Sequence, residues 1–242
     1  MKYAVSDLHG MSIKRFRALL ETAGFTKEDT LYVIGDVIDR GEHGAELLTE
    51  IMNMPGAVMI MGNHEAMMLE CSFLFDEITE ETIDEVSERD MEYLVRWMRN
   101  GAEPTIRGLQ ELKARDIDTF RKLIEWVEEL PFWAVTEAGG RTFCLTHAGF
   151  GNFDKDRRPV DYTERDLIWN RPKPTDRYYE DMFTVFGHTP VSHLMGHPVT
   201  SPVITDTWAD IDMGIHSGGT PAMLRLDDMK VFSLSAPAGD LS

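Results

Sequence analysis

Five short apolar runs punctuate the chain, at Lys2 to Ser6, Leu31 to Gly35, Val58 to Gly62, Thr142 to Thr146 and Phe183 to Gly187, and polar residues follow each at once. They are rich in β-branched and aromatic residues and lack polar alternation, which predicts strands buried on both faces. Between the first two, apolar residues at 13, 16, 19, 20 and 23 form one helical face that Gly24 closes. Between the second and third, Ala45, Leu48, Ile51 and Met52 form another such stripe, stopped by Pro55 and Gly56. Strand, helix, strand, helix, strand is a βαβ pattern, so the expected class is α/β with a parallel or mixed sheet flanked by helices.

From residue 66 to 130 the period changes to that of long helices, with stripes such as Leu94 and Trp97, or Phe120, Leu123, Ile124 and Val127. This predicts a helical cap inserted into a single domain that spans residues 1–242. Residues 76–92 hold nine acids and one base, and basic residues follow from Arg96 to Lys122; solvated helix faces or a charged screen over a site both fit. After residue 200, Val203 to Asp206, Ile211 to Met213, Ala222 to Leu226 and Val231 to Leu234 resemble short antiparallel strands.

Composition narrows the class of partner. Lys and Arg total 24 against 42 Asp and Glu, a formal charge of −18 that repels polyanions and argues against a nucleic-acid partner. Two cysteines without a CxxC pair indicate neither a disulfide framework nor a thiolate zinc site. With no signal peptide or run of some 18 apolar residues, the expectation is a cytoplasmic protein with no membrane partner.

The chemistry stands at the strand ends. Asp7-Leu8-His9-Gly10 follows the first strand, Asp36-Val37-Ile38-Asp39-Arg40-Gly41 the second, Asn63-His64-Glu65 the third, His147-Ala148-Gly149 the fourth and His188-Thr189 the fifth. The carboxyl ends of strands in an open α/β sheet surround the ligand crevice, so oxygen and imidazole donors from five segments converge on one edge. A carboxylate such as Asp36 can give one oxygen to each of two cations roughly 3.5–4 Å apart. Donors without thiolate suit manganese foremost, with iron, zinc or nickel also fitting. Two such ions clamp a phosphoryl group and acidify a bridging water, which points to hydrolysis of a phosphate ester by metal-bound hydroxide.

These segments resemble the signature of the phosphoprotein phosphatase family of calcineurin-like metallophosphoesterases: Asp-x-His-Gly, Gly-Asp-x-x-Asp-Arg-Gly, Gly-Asn-His-Glu, His-Ala and Gly-His-Thr. All occur here in order, and Leu167 to Arg171 with Ile211 to Gly214 are similar to compact bacterial and phage members. The resemblance implies a sandwich of mixed β-sheets flanked by helices. It also implies two divalent metal ions, one held by Asp7, His9 and Asp36 and the other by Asp36, Asn63, His147 and His188. By the same resemblance His64 protonates the leaving oxygen, Asp39 orients its ring, and Arg40 and Arg171 grip the phosphate. His43, His193, His197 and His216 lie outside the motifs and read as surface or core residues, although the loop from Gly214 to Gly219 belongs at the rim of the site.

Family members act on phosphorylated proteins or cleave dinucleoside polyphosphates. Glu65 after Asn63-His64 resembles the protein phosphatases, so the first expectation is a serine/threonine protein phosphatase acting on a phosphoprotein or a small phosphoester. The alternative is a symmetrical dinucleoside tetraphosphate hydrolase. A phosphate-binding pseudophosphatase would lack a ligand or His64, and neither is missing.

Overall fold

A computed structural model describes residues 1–76 and 86–234 of the 242-residue chain. Two five-stranded sheets stack face to face. The first has the order β10-β9-β1-β2-β3 and the second β4-β5-β6-β8-β7. In the first sheet, β1 (Lys2–Val5), β2 (Thr30–Ile34) and β3 (Ala57–Ile60) run parallel, while β9 (Ala222–Arg225) and β10 (Lys230–Ser233) add an antiparallel edge. In the second, β5 (Arg141–Thr146), β6 (Phe183–Phe186) and β8 (Trp208–Asp210) run parallel, flanked by antiparallel β4 (Trp133–Ala138) and β7 (Val203–Ile204).

The continuous apolar runs have a physical reason. Alternate residues of the parallel strands β1, β2 and β3 enter different cores: Ala4, Tyr32, Ile34 and Ile60 meet Phe143, Leu145, Phe183 and Val185 between the sheets. Tyr3, Val5, Leu31, Val33 and Met59 turn the other way, toward Phe16, Leu19 and Leu48 of the helices. Neither face of β1 or β2 meets water along most of its length, so no polar alternation survives there in the sequence.

Helix α1 (Ile13–Ala23) starts where the Ser12 hydroxyl accepts the Arg15 amide (3.4 Å) and ends at Gly24. The next helices are α2 (Gly44–Met52) and α3 (Asn63–Glu70). Then α4 (Glu88–Arg99), α5 (Glu103–Arg115) and α6 (Ile117–Glu128) follow, with α4 against α3, and α5 against α2 and α6. The short helices α7 (Glu164–Ile168) and α8 (Val191–Met195) complete the set. Residues 77–85, half of the acidic run, lie outside the described residues. Among the described residues no helix is long and apolar enough to cross a membrane.

Two elements differ from expectation. Strand β4 has no uniform apolar run because it lies at a sheet edge with Val135 and Glu137 exposed; the Gly139-Gly140 turn, both residues at positive φ, joins it to β5 as a two-residue hairpin. The strand expected over Ile211 to Met213 ends earlier, at Asp210. There the Asp210 carboxylate accepts the Asp212 amide (3.0 Å) and the Asp212 carboxylate accepts the Gly214 amide (2.7 Å), local bonds that compete with a ladder. The tail strands are also not uniformly antiparallel, since β8 pairs parallel with β6.

The loops after β1 and β2 meet backbone to backbone. The Gly10 amide donates to the Val37 carbonyl (2.7 Å), and a Cβ on Gly41 would lie 2.5 Å from the His9 oxygen and 2.6 Å from the Gly10 oxygen. Both neighbours are main chain and cannot swing aside. Gly41→Ala should therefore lower the unfolding free energy by about 1–3 kcal/mol, measured by urea denaturation. An unchanged midpoint would mean that the two loops do not touch.

Candidate active site

Of the eight non-glycine residues with positive φ among those described, six belong to the motifs: Asp7 (53°), His9 (42°), Asp36 (54°), Asp39 (70°), Arg40 (68°) and His188 (67°). Asp and His tolerate this region better than most residues. Such strain concentrated in one place marks a functional site, and here it bends the chain sharply after β1, β2 and β6. Asp7, Asp36, Asn63, His147 and His188 consequently point to one edge shared by both sheets, all buried.

Asp36 is the meeting point. Its Oδ1 accepts the His64 amide at the start of α3 (3.0 Å). Its Oδ2 lies 3.3 Å from His147 Nε2, 3.7 Å from His64 Nε2 and 4.0 Å from His9 Nε2. Asp7 uses Oδ2 to accept the His188 amide (3.0 Å) and the Ser6 hydroxyl, while its Oδ1 lies 3.9 Å from His9 Nε2. Donor atoms of His9, Asp36 and His64 lie within 4.8 Å of one another, as do those of Asp36, His147 and His188.

The chemistry of these donors fits metal ions. His147 Nδ1 faces the Ile34 carbonyl (2.8 Å) and His9 Nδ1 the Ile38 carbonyl (3.1 Å), so each carries its hydrogen there and turns Nε2 into the site. His147 Nε2 then faces two oxygens, Asn63 Oδ1 at 3.0 Å and Asp36 Oδ2. Lone pairs that meet in this way need a cation or a proton between them. Two buried atoms, Asp7 Oδ1 and His188 Nε2, have no hydrogen-bond partner at all. Without a cation the imbalance falls on protons. Burial pushes the Asp7 carboxyl up to about 7. His147 rises to about 10 because the Asp36 charge outweighs burial. Burial holds His9 and His188 well below the usual imidazole range.

The remaining motif residues surround this centre. His64 Nδ1 bonds Asp39 Oδ2 at 2.5 Å, and its pKa is raised because the charges of Asp36 and Asp39 overcome burial. Exposed Arg40 donates from Nη1 to His9 Nε2 (2.8 Å) and to His216 Nδ1 (2.8 Å), and from Nη2 to His64 Nε2 (3.1 Å). Exposed Arg171 donates to the His188 carbonyl (3.3 Å) and to Thr189 Oγ1 (3.2 Å). All ten expected residues are therefore gathered at one place. His216 joins them through Arg40, as its loop position suggested; burial and Arg40 lower its pKa to about 4.

Glu65 does not reach the crevice. Its carboxylate is fully buried and accepts the amides of Asp36 (2.8 Å), Val37 (2.8 Å) and Gly62 (3.2 Å), stapling the loop after β2 to the loop after β3. In the sequence alone this residue reads as a sign of substrate class. With both oxygens spent on backbone, its identity reflects loop anchoring instead. Three further residues contribute that the sequence does not mark as part of the site, Trp97 reading there only as one position of an apolar stripe. Trp97 Nε1 donates to Asp39 Oδ2 (2.7 Å), Thr105 Oγ1 accepts the Asp39 amide (2.8 Å), and Asp210 lies buried beneath the site beside Asp212. Burial raises both acids well above the carboxylate range. Only the Asp-x-Asp spacing of residues 210 and 212 was available as a signal.

The calcineurin-like phosphoesterase profile matches residues 3–213. A symmetrical bis(5'-nucleosyl)-tetraphosphatase of Chromobacterium violaceum is 27% identical over an alignment covering 98% of this chain and 95% of that protein. Its counterpart in Acidovorax ebreus is 29% identical, with 61% of this chain but only 43% of that protein aligned. Among solved structures, a candidate diadenosine tetraphosphatase superposes with a TM-score of 0.65 at 16% identity, over 98% of this chain and 94% of that one. A Saccharomyces cerevisiae serine/threonine phosphatase superposes at 0.53 with 14% identity, over 100% and 81%; at such identities the likeness concerns the fold. With the profile running from β1 past β8 and through every strand-end motif, this chain belongs to the calcineurin-like phosphoesterase family.

Proposed function

We propose that this chain is a metal-dependent phosphohydrolase that cleaves dinucleoside tetraphosphates symmetrically into two nucleoside diphosphates. The observation that carries the hydrolase reading is the single carboxylate, Asp36, common to both donor groups. Support for the substrate comes from relatives named as symmetrical bis(5'-nucleosyl)-tetraphosphatases, one aligned over nearly its whole length. The phosphoprotein reading loses its sequence argument because Glu65 faces backbone amides.

Asp7, His9 and Asp36 would hold one divalent ion, and Asp36, Asn63, His147 and His188 a second, with manganese the first candidate. For the first ion Asp7 is preferred over His64, because Asp7 Oδ1 is buried with no hydrogen-bond partner and its carboxylate brings the negative charge that a cation needs. Bound ions of this kind cancel charge on phosphoryl oxygens and acidify water. Arg40 and Arg171, exposed at the rim, grip the remaining phosphate oxygens. With Nδ1 tied to Asp39, His64 has Nε2 at the crevice beside Arg40; once a phosphate draws that guanidinium onto its oxygens, Nε2 carries the proton delivered to the leaving oxygen.

Diadenosine tetraphosphate incubated with the manganese-loaded protein should give ADP as its sole nucleotide product on ion-exchange chromatography. AMP with ATP would rule out symmetrical cleavage. Phosphate release from a phosphoserine peptide with the dinucleotide left intact would transfer the assignment to phosphoproteins.

Asp36→Asn removes a charge that serves both donor groups. Metal content should fall from about two ions per chain and turnover should be lost; full occupancy in that variant contradicts the bridging role. For His64→Asn the loss should be about 10²–10⁴-fold on a poor leaving group and smaller on an activated one. Phenyl phosphate compared with para-nitrophenyl phosphate, with both metals retained, makes that comparison, and equal losses would remove His64 as proton donor.

A further inference from the structure

The loop that carries Asp39 and Arg40 is held from the helices. Both residues sit at positive φ, 70° and 68°, a conformation that two successive non-glycine residues keep only when their surroundings impose it. Three hydrogen bonds do so, all from the α4–α5 segment. The Asp39 amide donates to Thr105 Oγ1 (2.8 Å), the Arg40 amide donates to the Gly101 carbonyl (2.9 Å), and Trp97 Nε1 donates to Asp39 Oδ2 (2.7 Å). Trp97, Thr105 and Asp39 are completely buried, so water does not compete for these bonds.

The Trp97 bond ends on the same oxygen that accepts His64 Nδ1 at 2.5 Å. The other oxygen, Asp39 Oδ1, is buried and has no partner. Two donors from opposite elements converge on this one oxygen, so the indole hydrogen fixes where Oδ2 sits and with it the direction in which the imidazole is held. We infer that Trp97 is a positioning residue for the proton donor, acting through Asp39, and that Thr105 sets the backbone from which Asp39 reaches His64. The inference rests on the proposed role of His64 and assigns the helices of residues 88–115 a part in the chemistry.

Trp97→Phe keeps an aromatic ring and deletes the N–H. With phenyl phosphate, kcat should fall about tenfold, a fraction of the whole general-acid contribution, while KM and metal content stay as in the wild type. The loss on para-nitrophenyl phosphate, whose leaving group needs less protonation, should be several-fold smaller. Thr105→Val, nearly isosteric, should shift the two substrates in the same direction and carries the test if Trp97→Phe does not fold. Equal losses on both substrates with metals in place, or no loss on phenyl phosphate, would reduce Trp97 to a packing role. His64→Asn serves as the reference: a leaving-group effect there and none in Trp97→Phe removes only the positioning role, whereas no effect in His64→Asn removes the proton-donor assignment and this inference together.

Discussion

Everything at this edge of the molecule depends on the need to neutralise buried negative charge. Asp7, Asp36, Asp39, Glu65, Asp210 and Asp212 are all buried, and burying unpaired carboxylates is costly enough that they must take up protons or cations. Amides can satisfy part of the demand, as they do for Glu65 and one oxygen of Asp36. They do not supply a full positive charge. His9 and His147 are aimed into the same volume with their outer nitrogens tied to carbonyls, an arrangement that suits cations and leaves an empty centre protonated and strained.

That constraint also explains how a chain with a net charge of −18 can accept an anionic substrate. Long-range potential is screened within about 8 Å at physiological salt, so the local inventory decides. At the crevice mouth this is Arg40 and Arg171, while Glu65, Asp210 and Asp212 are consumed by amides or raised out of their charged range. The overall acidity suits solubility and disfavours adventitious polyanions, and the field at the centre is set by the groups within hydrogen-bond reach.

The scaffold divides the labour between sheets and helices. The inner strands of both sheets pack apolar residues on two faces, and the parallel strands deliver donors at a common edge. Glu65 and the Gly10–Gly41 approach lock three of those loops to one another. Helices α4 and α5 then fix the fourth feature, the backbone at Asp39 and Arg40.

Much of this was legible in the sequence. Strand ends, α1, α2 and the ten residues that converge on one edge could be read because each signal is local: an apolar run, a helical stripe, or a motif held within one loop. Tertiary structure alone decided the division into two sheets, the edge hairpin at β4, and the parallel seat of β8. It also decided that Glu65 anchors loops, that Trp97 reaches Asp39 across 58 positions and that His216 meets Arg40 across 176. Such contacts leave no period or spacing in the chain, because a hydrogen bond between distant residues is created only when sheets and helices have already packed around it.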